Sequence, residues 1–179
     1  MAFKSLAKRL EMWAQERVPL LRTYLKQENL RDADKLIRDE LVRRLDRVKE
    51  ALEGAKQERV DRGSLLHLDK LDRSTSKLDG LMHQVRFAAR GYRGIFDPEE
   101  VGEEVLVGLL NFDEKLFATV EALAAEAKRV AGLSDEELAP ALRALEGQLT
   151  ALDQTLDERQ QYATDKLPAG SCPDPGKAI

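Results

Sequence analysis

Few side chains in this sequence have the type and spacing to do chemistry. Two histidines, His67 and His83, stand 16 residues apart, outside the HxxxH and HExxH spacings that set two imidazoles on one helical face to hold a metal. Carboxylates one turn apart occur at Glu99 with Glu103 and at Glu100 with Glu104, but the Glu-x-x-His pattern of di-iron bundles is missing. The single cysteine, Cys172, leaves no intrachain disulfide and no cysteine-based metal site. Gly91 and Gly94 read as turn residues rather than as a phosphate loop, because no strand precedes them. The expectation is a protein with no catalytic residue, no metal and no cofactor, which acts by binding.

Two stretches have the composition of a binding surface. In the first, Arg86, Arg90 and Arg93 are interleaved with Phe87, Tyr92 and Phe96, and no acid occurs between Asp79 and Asp97. Guanidinium forks beside exposed aromatics receive phosphate, acidic peptide or nucleic acid. The candidate contact residues are Arg86, Arg90, Tyr92, Arg93 and Phe96. The local structural alternative is that Glu99, Glu100, Glu103 and Glu104 neutralise those arginines across a turn, while Tyr92, Ile95 and Phe96 plug the end of a helical core. The second stretch is N-terminal. Phe3, Leu6, Leu10 and Trp13 recur at i, i+3, i+7 and i+10, and residues 1–17 hold four Lys and Arg against two Asp and Glu. Such a stripe suits an anionic membrane surface; the alternative is that it packs on the remainder of the chain or on a partner.

Long helices must position both stretches. Pro19 breaks the first stripe. From Leu20 to about Asp61, Leu30, Ala33, Ile37, Leu41, Leu45, Val48 and Leu52 form a seam at three- and four-residue steps, and Arg62-Gly63-Ser64 ends that helix and caps the next. A second seam runs Leu68, Leu71, Thr75, Leu78, Met82, Val85, Ala89, the spacing of coiled-coil a and d positions. Asp97-Pro98-Glu99-Glu100 has three helix-start signals. Behind it run Val101, Val105, Leu109, Phe112, Leu116, Val120, Leu123, Ala127 and Val130, stopped at Gly132. Ser134 to Glu137 is a further capping box, followed by Leu138, Leu142, Leu145, Leu149, Leu152 and Leu156, with Pro140 predicting either a kink or the true start of that helix. Past about Lys166 no period remains and the composition is that of a disordered tail.

The predicted fold is all-α: an elongated antiparallel four-helix bundle, or pair of coiled-coil hairpins, over residues 20–165, preceded by an amphipathic helix at 1–18 and followed by a disordered tail at 166–179. The 179 residues are 35% charged and 5% aromatic, the profile of long solvated helices with aliphatic seams. Charge is divided along the chain. Residues 1–97 carry 22 Lys and Arg against 16 Asp and Glu, and residues 98–179 carry 7 against 17. That division steers assembly between copies or packs a basic hairpin on an acidic one within a single chain. Absence of an apolar leader or of about 20 consecutive apolar residues predicts a cytoplasmic protein, at most peripheral at the inner face of a membrane. The functional expectation is a non-enzymatic scaffold or adaptor that self-associates as a homo-oligomer and binds protein partners. Its alternative is a peripheral protein that inserts the N-terminal helix and assembles on anionic membranes. Overall acidity argues against specific nucleic-acid binding.

Overall fold

A computed structural model of the protein describes residues 30–87 and 103–166, together with Met12. The N-terminal stripe at Phe3, Leu6, Leu10 and Trp13, the residues Arg90, Tyr92, Arg93 and Phe96, the Asp97-Pro98 helix start and the tail beyond Lys166 lie outside the described residues. Four helices follow in order: α1, Leu30–Asp61; α2, Leu68–Phe87; α3, Glu103–Ala131; and α4, Asp135–Lys166. No strand occurs among the described residues.

The helices pack as a bundle whose core is a ladder of aliphatic side chains. Leu45 and Leu52 of α1, Leu71 and Leu78 of α2, Phe117 and Leu123 of α3, and Leu138 to Leu152 of α4 are fully buried. Short turns make α1–α2 and α3–α4 antiparallel hairpins. The hairpins then lie side by side, α1 against α3 and α2 against α4. Both of these cross-hairpin pairs run parallel: Arg44 meets Glu121 while Arg59 meets Asp135, and Lys77 meets Thr150 while Gln84 meets Asp157. Antiparallel neighbours are therefore confined to the hairpins. α2 and α3, though consecutive, sit diagonally across the bundle.

Local sequence accounts for the ends of the elements. Gly63 adopts φ 74°, the left-handed region open to glycine. It thereby closes a Schellman cap, with Ser64 N–H donating to Arg59 O and Gly63 N–H to Val60 O, both at 2.9 Å. Ser64 does not cap α2, which starts four residues later. Its hydroxyl donates instead to the Asp135 carboxylate at 3.0 Å. At the start of α4, the carboxylate of Glu137 accepts from the Ser134 amide at 3.2 Å and hydroxyl at 2.8 Å. These two bonds, hydroxyl first, hold the Glu137 carboxyl below its ordinary pKa. Pro140 lies inside α4, which begins at Asp135. The carbonyl that loses a donor to this proline belongs to Glu136, an exposed residue.

Two seam assignments differ from the sequence reading. Asp113, not Phe112, is the buried residue between Leu110 and Leu116, and Ser74, not Thr75, is the buried residue after Leu71. Thr75 turns its hydroxyl back to the carbonyls of Leu71 at 3.2 Å and Asp72 at 3.0 Å. Asp113 is tolerated in the core because Arg159, itself on the α4 seam, grips it from Nε at 2.7 Å and from a terminal nitrogen at 3.3 Å. A buried carboxylate needs such a partner.

Candidate functional site

The candidate site is built where α1 and α2 run beside each other toward the end of the bundle from which residues 88–102 depart. Lys49 binds Asp79 at 2.8 and 2.9 Å, and Lys56 binds Asp72. A seven-residue step along α1 is thus matched by a seven-residue step back along α2. One more such step brings Val42 level with Arg86. Around that level a groove of about 240 Å³ opens, lined by Lys35, Arg38, Asp39 and Val42 of α1 and by Arg86 of α2. The four α1 positions follow at steps of three, one and three, which puts them on one helical face.

Three cations and one acid line this groove. Lys35 and Arg86 are exposed, and neither has an ion pair or hydrogen bond among the described residues. Val42 is buried and forms the apolar wall. A second groove, of about 250 Å³, lies between α1 and α3. There Arg44, Arg47 and Lys128 stand against Glu40 and Glu121. Glu40 receives Arg43 and Arg44, Arg44 also reaches Glu121 at 3.1 Å, and its guanidinium covers the Phe117 ring at 4.9 Å. Burial pushes the Glu40 carboxyl up, but hydrogen bonds from Arg44 and Arg43 and their charges outweigh it, so its pKa lies below the ordinary value. Both grooves are lined by more cations than acids, but in the α1–α3 groove both acids are held in ion pairs with Arg44.

No family model, curated protein or solved structure matches this chain. The site therefore stands on its own geometry.

Of the candidates from sequence, Arg86 is placed in the groove and Phe87 is half exposed beside it. The Phe87 ring lies on His83, centroids 4.2 Å apart. Lys35 and Arg38 were not singled out in the sequence, because on α1 they are interleaved with Asp32, Asp34 and Asp39 and read as ordinary solvated charge. The signal that finds them is the register between the helices, available only once Lys49 and Asp79 are known to meet. The other histidine, His67, precedes α2 with φ 64°. Its carbonyl accepts from the amides of Lys70 and Leu71. Among the described residues no three His, Cys, Asp or Glu side chains group closely enough to hold a metal, and no helix is long and apolar enough to cross a membrane.

Proposed function

We propose that the protein is a non-enzymatic scaffold or adaptor whose principal contact surface is the basic end of the first hairpin. The observation that carries this reading is the lining of the α1–α2 groove, in which the exposed cations Lys35 and Arg86 have no ion pair or hydrogen bond among the described residues. Arg90 and Arg93 follow Arg86 by four and seven residues with no intervening acid. They continue the run of arginines in sequence. Heptad-like seams in all four helices support describing the hairpins as coiled-coil units that present rigid faces.

Self-association belongs to this reading and is supported at the other end of the bundle. There the end of α1 exposes Val60 and the turn after it Leu65 and Leu66, with Leu65 at 73% of its full accessibility. Adjacent exposed aliphatics on a turn are more readily covered by a second copy than left in water.

The test of the contact surface is a double charge reversal, Arg86→Glu with Arg93→Glu. Partners captured by the wild-type protein and identified by mass spectrometry are expected to be lost from the variant, while far-ultraviolet circular dichroism keeps its helical signal. Retention of the same partners at the same yield removes the basic end from consideration.

A further inference from the structure

We infer that the α1–α2 turn is a two-fold docking surface, on which the same turn of a second copy seats end to end. The inference rests on the self-association reading above and names the surface that meets Leu65 and Leu66. Reach is the first argument. With α1 parallel to α3 and each hairpin antiparallel, Leu30, Phe87, Glu103 and Lys166 all lie at the end of the bundle opposite this turn. At 1.5 Å per residue α2 is about 30 Å long and α3 about 43 Å. Residues 88–102 extend to roughly 50 Å, too short to run up to the turn and back to Glu103. Residues 167–179 extend to about 45 Å, against about 48 Å for the length of α4. The apolar stripe that ends at Trp13 is joined to Leu30 by 16 residues. These extend to about 55 Å and must run nearly straight to pass the roughly 48 Å of α1. Another molecule covers the turn more readily than any of these stretches.

Fit is the second argument, and it favours a copy of the same turn. Among the described residues, the exposed large apolar side chains besides Val60, Leu65 and Leu66 are Met12 and Phe87, and Phe87 is at the opposite end of α2. Two-fold pairing sets the leucines of one copy against those of the other and closes the assembly, whereas seating Leu65 on the Phe87 end joins unlike ends and propagates an open chain. The rim mixes both signs, Asp61 and Asp69 with Arg62 and Lys70, and Asp135 and Glu136 open α4 beside it. Such a rim tolerates its own copy; attraction to an anionic bilayer requires a basic one. The turn is also anchored. A Schellman cap precedes Leu65, Ser64 is tied to Asp135, and the His67 carbonyl accepts from the amides of Lys70 at 3.1 Å and Leu71 at 3.2 Å. His67 itself stands at φ 64°, a conformation that a residue with a Cβ adopts at a cost. A backbone held in this way presents the two leucines with little left to order on association. End-to-end pairing leaves the basic end of each first hairpin free, two α1 lengths or about 95 Å apart, so one dimer bridges two partners.

The decisive experiment cross-links the full-length protein through single cysteines placed in a Cys172→Ser background. Leu65→Cys sets the thiol on the turn, and Gln161→Cys sets it on exposed surface near the far end of α4. Under copper–phenanthroline oxidation at tens of micromolar protein, Leu65→Cys is expected to form a disulfide-linked dimer about tenfold faster or more than Gln161→Cys, and adding Leu66→Ser is expected to slow it about tenfold, the scale of one lost apolar contact. Leu66→Cys repeats the comparison with Leu65 intact. Equal rates at the turn and at the far end, or faster linkage through Gln161→Cys, overturn the inference. A second arm floats the protein with vesicles of phosphatidylcholine, with and without phosphatidylglycerol. Flotation that Leu65→Ser with Leu66→Ser abolishes assigns the turn to lipid and also overturns it. The two readings fail separately. A wild-type protein that is monomeric in sedimentation velocity removes self-association altogether; a dimer whose cross-links avoid both Leu65→Cys and Leu66→Cys leaves self-association and removes end-to-end pairing.

Discussion

Asp113 and Arg159 occupy positions that the seams of α3 and α4 reserve for aliphatic side chains, and both are buried. Their bidentate contact makes the pair tolerable, which differs from making it stabilising: two charges taken from water recover that cost only while each has the other. Asp113→Ala therefore leaves a buried guanidinium without this counter-ion and is expected to cost about 3–5 kcal/mol. Replacing both, Asp113→Leu with Arg159→Leu, is expected to restore wild-type stability or exceed it. Urea unfolding of the two variants checks this; a single variant within about 1 kcal/mol of wild type, a loss normal for a surface change, contradicts the account. Arg59 is a similar case at the opposite end. It is buried and donates to Asp135 and to the Leu133 carbonyl at 2.7 Å, so the cap of α1 and the start of α4 share one cation.

At the scale of the element, α4 sets a ring against α3 at Gly108, where α3 has no side chain. A Cβ at Gly108 overlaps the hydroxyl and Cζ of Tyr162, whose ring also packs on Phe112 with centroids 5.6 Å apart. Two effects compete in Gly108→Ala. Alanine improves the helix by about 0.5–1 kcal/mol, and displacing the ring costs about 1–3 kcal/mol, so a net loss of about 1–2 kcal/mol is expected. In a Tyr162→Ala background only the first effect remains and the same change becomes stabilising. Thermal unfolding of the four proteins decides it, and destabilisation of equal size in both backgrounds refutes the steric account.

The same elements show what was legible in the sequence. Helix existence, the Gly63 and Gly132 stops and the Ser134–Glu137 cap follow from local chemistry and could be read directly. The seams were legible wherever aliphatic residues held them. They were misread where a polar residue did: hydrophobicity favoured Phe112 over Asp113, and the larger methyl-bearing Thr75 over Ser74, whose buried hydroxyl has no hydrogen-bond partner among the described residues. The pairing of hairpins was not legible, because four seams of equal period fit one another in several orders. For the site, Arg86 was visible as part of a run without acids. Lys35 and Arg38 were not, since their role depends on which α2 residue stands level with them.

For the whole molecule, part of the charge division is used within the chain. Ion pairs between the hairpins, Arg44–Glu121, Arg59–Asp135 and Lys77–Asp153, each set a cation of the first against an acid of the second. Individually such pairs contribute little, but their common sign favours one docking of the hairpins over others. Among the described residues, the exposed turn at Leu65 and Leu66 is the surface we propose for a second copy. Leu65→Ser with Leu66→Ser is expected to shift the protein toward monomer in sedimentation velocity with helicity unchanged. A wild-type protein that is already monomeric at tens of micromolar removes self-association from the reading.

The diagonal placement of α2 and α3 bears on the connection between them. Adjacent helix axes lie about 8–10 Å apart, which makes the diagonal about 14 Å, whereas the 15 residues between Phe87 and Glu103 reach roughly 50 Å extended and still about 22 Å if wholly helical. An extended chain of that length exceeds the lateral crossing, so the diagonal order of α2 and α3 is compatible with the connection.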